Sequence, residues 1–465
     1  MIHRTFIARY FCGPSALVTL AGALLWGPVR AQEHALTLKE CVSLAMEQNP
    51  LIHSAREQYQ ASLARVRQAR AFPQPSLDID SDLQPGITDI NGWGERYVGI
   101  SQTIPFPGKT YLQGRIAREE SNEVLTDTDL LRLDVTFQVT EAFYGALLAQ
   151  EQLGHAAQNL EFTQDFVQMT ELKFEAGDVP RMEVVRARVE AASAANKHRR
   201  AENEVRLARA RVNFLLGQRS SSPLELQGDL KTDPVSYDLE EVTASALESR
   251  PEMRRIKFSI QRENLLKKRG FASYLPDFEV GAAKHKVAGE EDTWDVTLSL
   301  ILPVFFWQPA RGEIAEAEAN LRALREEETH LANAVALEVE EAYVNLTSAT
   351  DQIRLFEEDI LTQAEEAYQM YEFAYQQGEI GAIDLIESRR TLNDARTSYA
   401  DALFTYDVAR AAIERSIGRP IEEQENGPDP DELAGDDSSD FDLWPGGLQQ
   451  RLHSRQRLRG GSGHR

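Results

Sequence analysis

The chain is poor in the residues on which disulfide-bonded domains and most enzymes depend. Only two cysteines occur in 465 residues. Cys12 falls inside an N-terminal leader, so Cys41 stands alone, which excludes an internal disulfide and leaves no cysteine pair for a metal. Cys41 is expected as a small buried residue near Leu38 and Leu44. No GxGxxG, Walker loop, HExxH, CxxC or GxSxG is present, and His53, His155, His198, His285 and His330 are dispersed. The acidic run at 326–328 falls on a polar helix face, so nothing assembles a catalytic centre or a cofactor site. Basic residues are also in deficit, 50 Lys and Arg against 74 Asp and Glu, a net charge of −24. That balance excludes nucleic acid, which needs a basic surface, and permits cations as cargo.

Long apolar runs are missing too, with one exception. Arg4 and Arg9 precede an apolar stretch from Phe11 to Trp26, and Val29-Arg30-Ala31 follows it, the pattern of a secretory signal peptide over residues 1–31. The stretch is shorter than the ~20 apolar residues of a bilayer-crossing helix. The exported protein is therefore expected in the periplasm, outside the cell, or in an outer membrane by way of β-strands.

What is present is a pattern written twice. Shifted by 201 residues, "LTLKECVSLAMEQNP" at 36–50 overlies "YDLEEVTASALESRP" at 237–251, and the same shift pairs Pro50 with Pro251, Pro75 with Pro276, Gly177 with Gly378 and Gly217 with Gly418. In between, "EAFY" at 141 overlies "EAYV" at 341 with a shift of 200, so a small length change lies inside the unit. Each unit begins with a helical segment of about 35 residues (37–71 and 238–271) and then switches to period-two alternation, "PSLDIDSDL" with "RYVGISQTIPF" and "PDFEVGAAKHKV" with "TWDVTLSLILP". Trp294, Val296, Leu298 and Leu300 alternate with Asp295, Thr297 and Ser299, as in a strand with one apolar and one polar face. Two hairpins are expected, at about 75–106 and 276–303, with strands near the ~9–11 residues that cross a bilayer at a tilt.

Long helices follow each hairpin, at about 110–176 and 312–377. From Val339 the positions Ala342, Leu346, Ala349, Ile353, Phe356, Ile360, Gln363, Ala367, Met370 and Ala374 keep strict three-four spacing, a heptad seam. After Gly378 a seam restarts with Leu392, Ala395, Tyr399, Ala402, Tyr406, Ala409 and Ile413. Each long helix would extend roughly 100 Å, and the shorter helices stacked end to end would form a second rod beside it. The fold class expected is mainly α with a small β part, a coiled-coil wall carrying strand hairpins at one end and glycine bends at the other. Four strands leave unpaired edges, which lipid does not tolerate; three chains would close twelve strands into a barrel.

Taken together, the doubled "NP" and "RP" helices, the hairpins, "SQTIPFPGK", "LPVFFWQPARGEI" and the bends "FEAGDV" and "YQQGEI" resemble the TolC-type outer-membrane channels of tripartite efflux pumps, from about 36 to 418. "PFPGK" at 105–109 and the absence of a lipobox look most like the heavy-metal, cobalt-zinc-cadmium type, branch. The resemblance implies a homotrimer in outer-membrane lipid, with a β-barrel from four strands per chain and an α-helical barrel through the periplasm. It further implies a periplasmic adaptor protein docked at the tip, a proton-driven inner-membrane pump beneath, and no cofactor. Tyr375, Asp384 and Glu387 then resemble pore-constriction positions, Glu183 resembles the acid of the first copy, and Phe174, Gly177, Asp178, Gly378 and Glu379 resemble the adaptor-docking tip. Where some members carry a gate arginine, this chain has Ile380, with Arg181 only a loose substitute. Plain helix stops at the glycines, seam packing of Phe174 and Tyr375, and solvated charges at Asp384 and Glu387 are the alternatives from the residues themselves.

The expected organisation is a signal peptide over 1–31, a first efflux repeat over 32–220 with its tip bend at 174–181, and a second over 221–420 with its bend at 375–382. A tail over 421–465 follows, ten acidic residues within 421–443 and then five arginines with His453 and His464, a composition that cannot form a core. The function implied is a passive export duct, with divalent heavy-metal cations as cargo. A channel for drugs or secreted proteins and a periplasmic coiled-coil scaffold are the competing readings.

Overall fold

The structure, a computed structural model, describes residues 35–83, 93–231, 237–302 and 309–418. The signal peptide, the first hairpin's connection, residues 303–308 and the tail lie outside the described residues. Two successions of elements run in the same order. The first is α1 (Leu38–Gln48), α2 (Pro50–Ala69), β1 (Ser76–Leu83), β2 (Trp93–Ile104), α3 (Lys109–Glu175) and α4 (Arg181–Leu215). The second is α5 (Leu239–Ser249), α6 (Pro251–Ala272), β3 (Asp277–Val287), β4 (Thr293–Ile301), α7 (Pro309–Leu355), a π-turn (Phe356–Ile360), α8 (Leu361–Gln377) and α9 (Ala382–Ile417).

The helical segments expected over 37–71 and 238–271 are each two helices. A proline disfavours helical ψ in the residue before it, and Asn49 (ψ 123°) and Arg250 (ψ 135°) are accordingly extended. The break at Asn49 is also a cap: its Oδ1 accepts from Leu51 N at 2.8 Å while its Nδ2 donates to the Leu215 carbonyl at 2.8 Å, tying α2 to the end of α4. Thr37 and Glu40 form a capping box that starts α1.

Around this joint lies an apolar core of Cys41, Ala45, Ile52, Val135, Val139, Phe143, Leu147, Val212 and Leu216. Cys41 is fully buried there, as expected. A second core lies near the bends, where Phe166 of α3 and Ala187 of α4 meet Tyr368, Tyr375, Ala382, Leu385 and Leu392 of α8 and α9. The two helical hairpins thus share a core beside their turns.

The seam that starts at Val339 is buried through Ala342, Leu346, Ala349 and Ile353 and then departs from the expected positions. Gln363 and Met370 are exposed, Ala367 and Ala374 only half-buried, and Ala364, Tyr368 and Tyr375 pack inward instead. The π-turn accounts for the change. It winds an extra residue into the helix, so the inward positions beyond it move along the sequence by one. It also accounts for the change of offset between the halves, from 200 at "EAFY/EAYV" to 201 at Gly177/Gly378. α3 crosses the corresponding stretch as an unbroken α-helix of 67 residues. The seam of α9 has Leu392, Ala395, Ala402, Tyr406, Ala409 and Ile413 buried as expected, whereas Tyr399 is only half-buried and its neighbour Ala400 is buried.

The strands form one antiparallel sheet in the order β1-β2-β3-β4. The hairpins join through β2 and β3, with Tyr97 opposite His285. Among the described residues, β1 and β4 each have one edge without a strand partner.

Candidate functional site

Both bends close in the same way. Gly177 (φ 83°) and Gly378 (φ 74°) lie in the left-handed region, where a side chain is strained. Asp178 N donates to the Lys173 carbonyl, and Glu379 N to the Ala374 carbonyl, both at 2.9 Å. This six-to-one bond is the Schellman stop, which satisfies the last carbonyls of the helix. No atom lies within 4 Å of a Cβ built on either glycine, so backbone conformation, not crowding, demands the residue. Gly177, Asp178, Gly378 and Glu379 are all exposed at the turns, available to a partner.

The two bend aromatics, equivalent in sequence, are not equivalent in the fold. Phe174 is 42% exposed, whereas Tyr375 is 2% exposed and packs on Phe166 with ring centroids 5.5 Å apart. Within this chain Tyr375 is a core residue of the tip, and its ring presents no open surface to a pore. Burial pushes its phenol above the ordinary value; Thr170 opposes that rise and the Glu183 carboxylate adds to it. Glu183 Oε2, a buried atom, has no hydrogen-bond partner. Lys173 Nζ sits 4.2 Å above the Tyr375 ring and donates to its carbonyl at 3.4 Å.

Asp384 and Glu387 are exposed on the first turns of α9, where the helix N-terminus favours carboxylates. Glu183 occupies the matching first turn of α4. Glu387 has a cation beside it: Arg390 Nη1 lies 3.4 Å from it, and Nη2 of the same guanidinium lies 3.2 Å from Glu190 of α4. Ile380 packs against the tip core and is no substitute for a cation. Sequence reasoning missed Lys173, Glu190, Arg389 and Arg390. Arg389 lies 4.8 Å from the Phe162 ring and 5.0 Å from that of Tyr368, binding the hairpins through cation–π contacts. The adjacent arginines at 389 and 390, close behind two acids, were the available signal.

At the other end of the helices the sheet separates two chemistries. One face carries Leu77, Ile79, Val98, Ile100, Val280, Trp294, Val296, Leu298 and Leu300, all exposed large apolar residues. The ladder places Asp78, Asp80, Asp82, Glu95, Asp277, Glu279 and Asp295 on the other. Asp277 is tied to Lys109 Nζ at 2.8 Å. His285, on the same face, lies 3.7 Å from both Glu95 and Asp295. Among the described residues no group of three or more His, Cys, Asp and Glu side chains is placed to hold a metal ion, and no helix is long and apolar enough to cross a membrane. The arrangement suits a duct with an acidic lining rather than a tight site.

Comparison with known proteins agrees. The Cobalt-zinc-cadmium resistance protein CzcC of Cupriavidus metallidurans is 25% identical over 404 residues, 84% of this chain and 93% of that protein. Among solved structures, CusC superposes with a TM-score of 0.71 at 16% identity, covering 82% of this chain and 92% of the other. The Campylobacter jejuni CmeC outer membrane channel gives 0.67 at 16% identity, with 84% and 87% covered. The sequence profile described as Outer membrane efflux protein matches residues 41–218 and again 242–419, the same 201-residue offset as the glycine bends. The chain therefore belongs to the outer membrane efflux protein family and is an outer-membrane efflux channel.

Proposed function

We propose that three copies of this chain form a passive duct for divalent heavy-metal cations, with the sheet in the outer membrane and the helices in the periplasm. The observation that carries this reading is the segregation of the sheet: a band of exposed apolar residues on one face, interrupted by Gln102 and bounded towards the turns by Arg96, Lys284 and Lys286, and carboxylates on the other. Carboxylates are excluded from hydrocarbon, so the apolar face meets lipid and the acidic face lines water. The free edges of β1 and β4 call for a neighbour, and three chains give twelve strands, within the range of outer-membrane barrels. Exposed apolar residues on α4 (Met182, Val185, Val189, Leu207, Phe214) and on α7–α8 (Leu337, Val344, Leu355, Met370, Phe373) supply complementary helix edges for the same neighbours.

At the tip, Glu183, Asp384 and Glu387 form the constriction, and rings of like charge concentrate cations and favour their passage. Tyr375 packs within the core beside Glu183. The exposed turns of Phe174, Gly177, Asp178, Gly378 and Glu379 receive a periplasmic adaptor, and an inner-membrane proton-driven pump supplies the cargo. The metal-cation assignment leans on the named activity of CzcC and on the acidic lining.

Single-channel recording in a planar bilayer tests the reading. A reversal potential showing cation preference is expected, with weaker preference and altered block by divalent ions in the Asp384→Asn/Glu387→Gln double variant. An anion-selective pore, or a protein that stays monomeric and soluble without detergent, overturns it.

A further inference from the structure

The strands carry few basic residues, and those they carry share one placement. Arg96 of β2 and Lys284 and Lys286 of β3 are the lysines and arginines of the four strands among the described residues. None is on the acidic face. The register puts Arg96 opposite Lys286 and Lys284 opposite Trp294, on the face that carries the apolar band. All three stand in the last rungs before the turns. From Ile104, at the helix end of β2, to Arg96 is about 27 Å of strand at ~3.4 Å per residue. At a strand tilt of ~35–45° this is a height of about 19–22 Å, a few ångströms short of the ~25 Å outer-membrane apolar band, a gap that long Arg and Lys side chains span to reach the interface. The cations thus crown the band at its far boundary, next to Trp294, which is 73% exposed and of the residue type that marks a membrane interface.

Arg96 and Lys286 stand directly opposite across the ladder, which brings two like charges side by side. The lysines converge on an anionic group. Lys284 Nζ is 2.6 Å from Asp292 Oδ2, and Lys286 Nζ is 3.7 Å from Asp292 Oδ1. Two ammonium groups gripping both oxygens of one carboxylate occupy a geometry that a phosphate also satisfies, with more charge and more acceptor oxygens.

Given the barrel reading above, we propose that Arg96, Lys284 and Lys286 form a binding surface for the phosphorylated headgroups of lipids in the leaflet at the hairpin end. A phosphate displaces Asp292 from the lysines, and the acyl chains lie along Val98, Val280, Val296 and Leu298. The surface fixes the depth and rotation of the barrel in the membrane and takes no part in conduction.

The test uses the full-length channel in lipid discs of phosphatidylcholine, with and without phosphatidic acid, and native mass spectrometry to count retained phosphatidic acid. The Arg96→Gln/Lys284→Gln/Lys286→Gln variant is expected to bind phosphatidic acid on the order of a hundredfold more weakly, as three juxtamembrane cations warrant. Asp292→Asn, which removes the competing carboxylate, is expected to bind it more tightly. Unchanged binding in both variants, inserted and conducting, overturns the proposal, as does displacement of the lipid by inorganic phosphate alone. Failure of the parent chain to insert at all overturns the barrel reading instead, so the two failures are distinguishable.

Discussion

Deleting Glu358 tests whether the π-turn is a register device. Glu358 is exposed in the middle of the turn. Ile353, Tyr368 and Tyr375 share the inner face, yet Tyr368 lies 15 residues and Tyr375 22 residues beyond Ile353. Removal of one residue turns these spacings into 14 and 21, whole heptads, and an uninterrupted α-helix then carries both tyrosines inward. The deletion is therefore expected to leave the unfolding free energy within about 1 kcal/mol of the parent, because the buried set is unchanged. If the turn had no such role, the same deletion would rotate α8 by ~100°. Tyr368 and Tyr375 would then leave the core, at a cost of about 1.5–3 kcal/mol each for large apolar side chains. Deletion of Gln158 is the control. It removes an exposed residue from the regular part of α3, where no extra residue is stored. Phe166, 2% exposed, would swing off the tip core, a loss of the size of a buried Phe→Ala change, about 3–5 kcal/mol. Denaturant unfolding of the detergent-solubilised channel, followed by far-ultraviolet circular dichroism, measures both. Equal destabilisation by the two deletions would refute the reasoning.

Two further outcomes are expected. Burial raises Glu123 above the ordinary glutamate value of 4.5, opposed by Arg262 at 2.8 Å and by Ser259. A carboxyl raised on folding contributes stability that is complete below its ordinary value and is lost as pH rises through the folded value. Glu123→Gln should then gain thermal stability relative to the parent as pH rises from 4.5 towards neutrality, and parallel melting curves across that range would contradict the assignment. Burial likewise pushes the Cys41 thiol up to about 11, so a thiolate-directed alkylating reagent at mildly alkaline pH should leave the folded channel unmodified and label it only after denaturation; labelling of the folded protein would show that the α1 joint opens.

Much of this molecule is legible in one sequence because its periodicities are local. Alternation at 294–300 marks both faces of a strand without any partner, since successive side chains on an extended backbone must point oppositely. Gly177 and Gly378 mark the bends because few other residues accept the left-handed conformation. The doubled order follows from comparing the chain with itself. The 200-to-201 change of offset was equally visible, as a length change with no location.

Only the tertiary structure located it. A helix stores an extra residue wherever the neighbouring seam tolerates a wider turn, and that tolerance depends on α9, where Tyr399 Oη donates to Glu357 at 2.8 Å and its ring lies 6.2 Å from that of Phe356. Once the turn is at Phe356–Ile360, strict heptad counting fails beyond it, which is why Met370 is exposed and Tyr375 buried. The same dependence separates Phe174 from Tyr375. Both stand three residues before a bend glycine, but which of them faces the opposite hairpin is decided by the rotation of α3 against α8, a relation between distant segments that no local pattern contains.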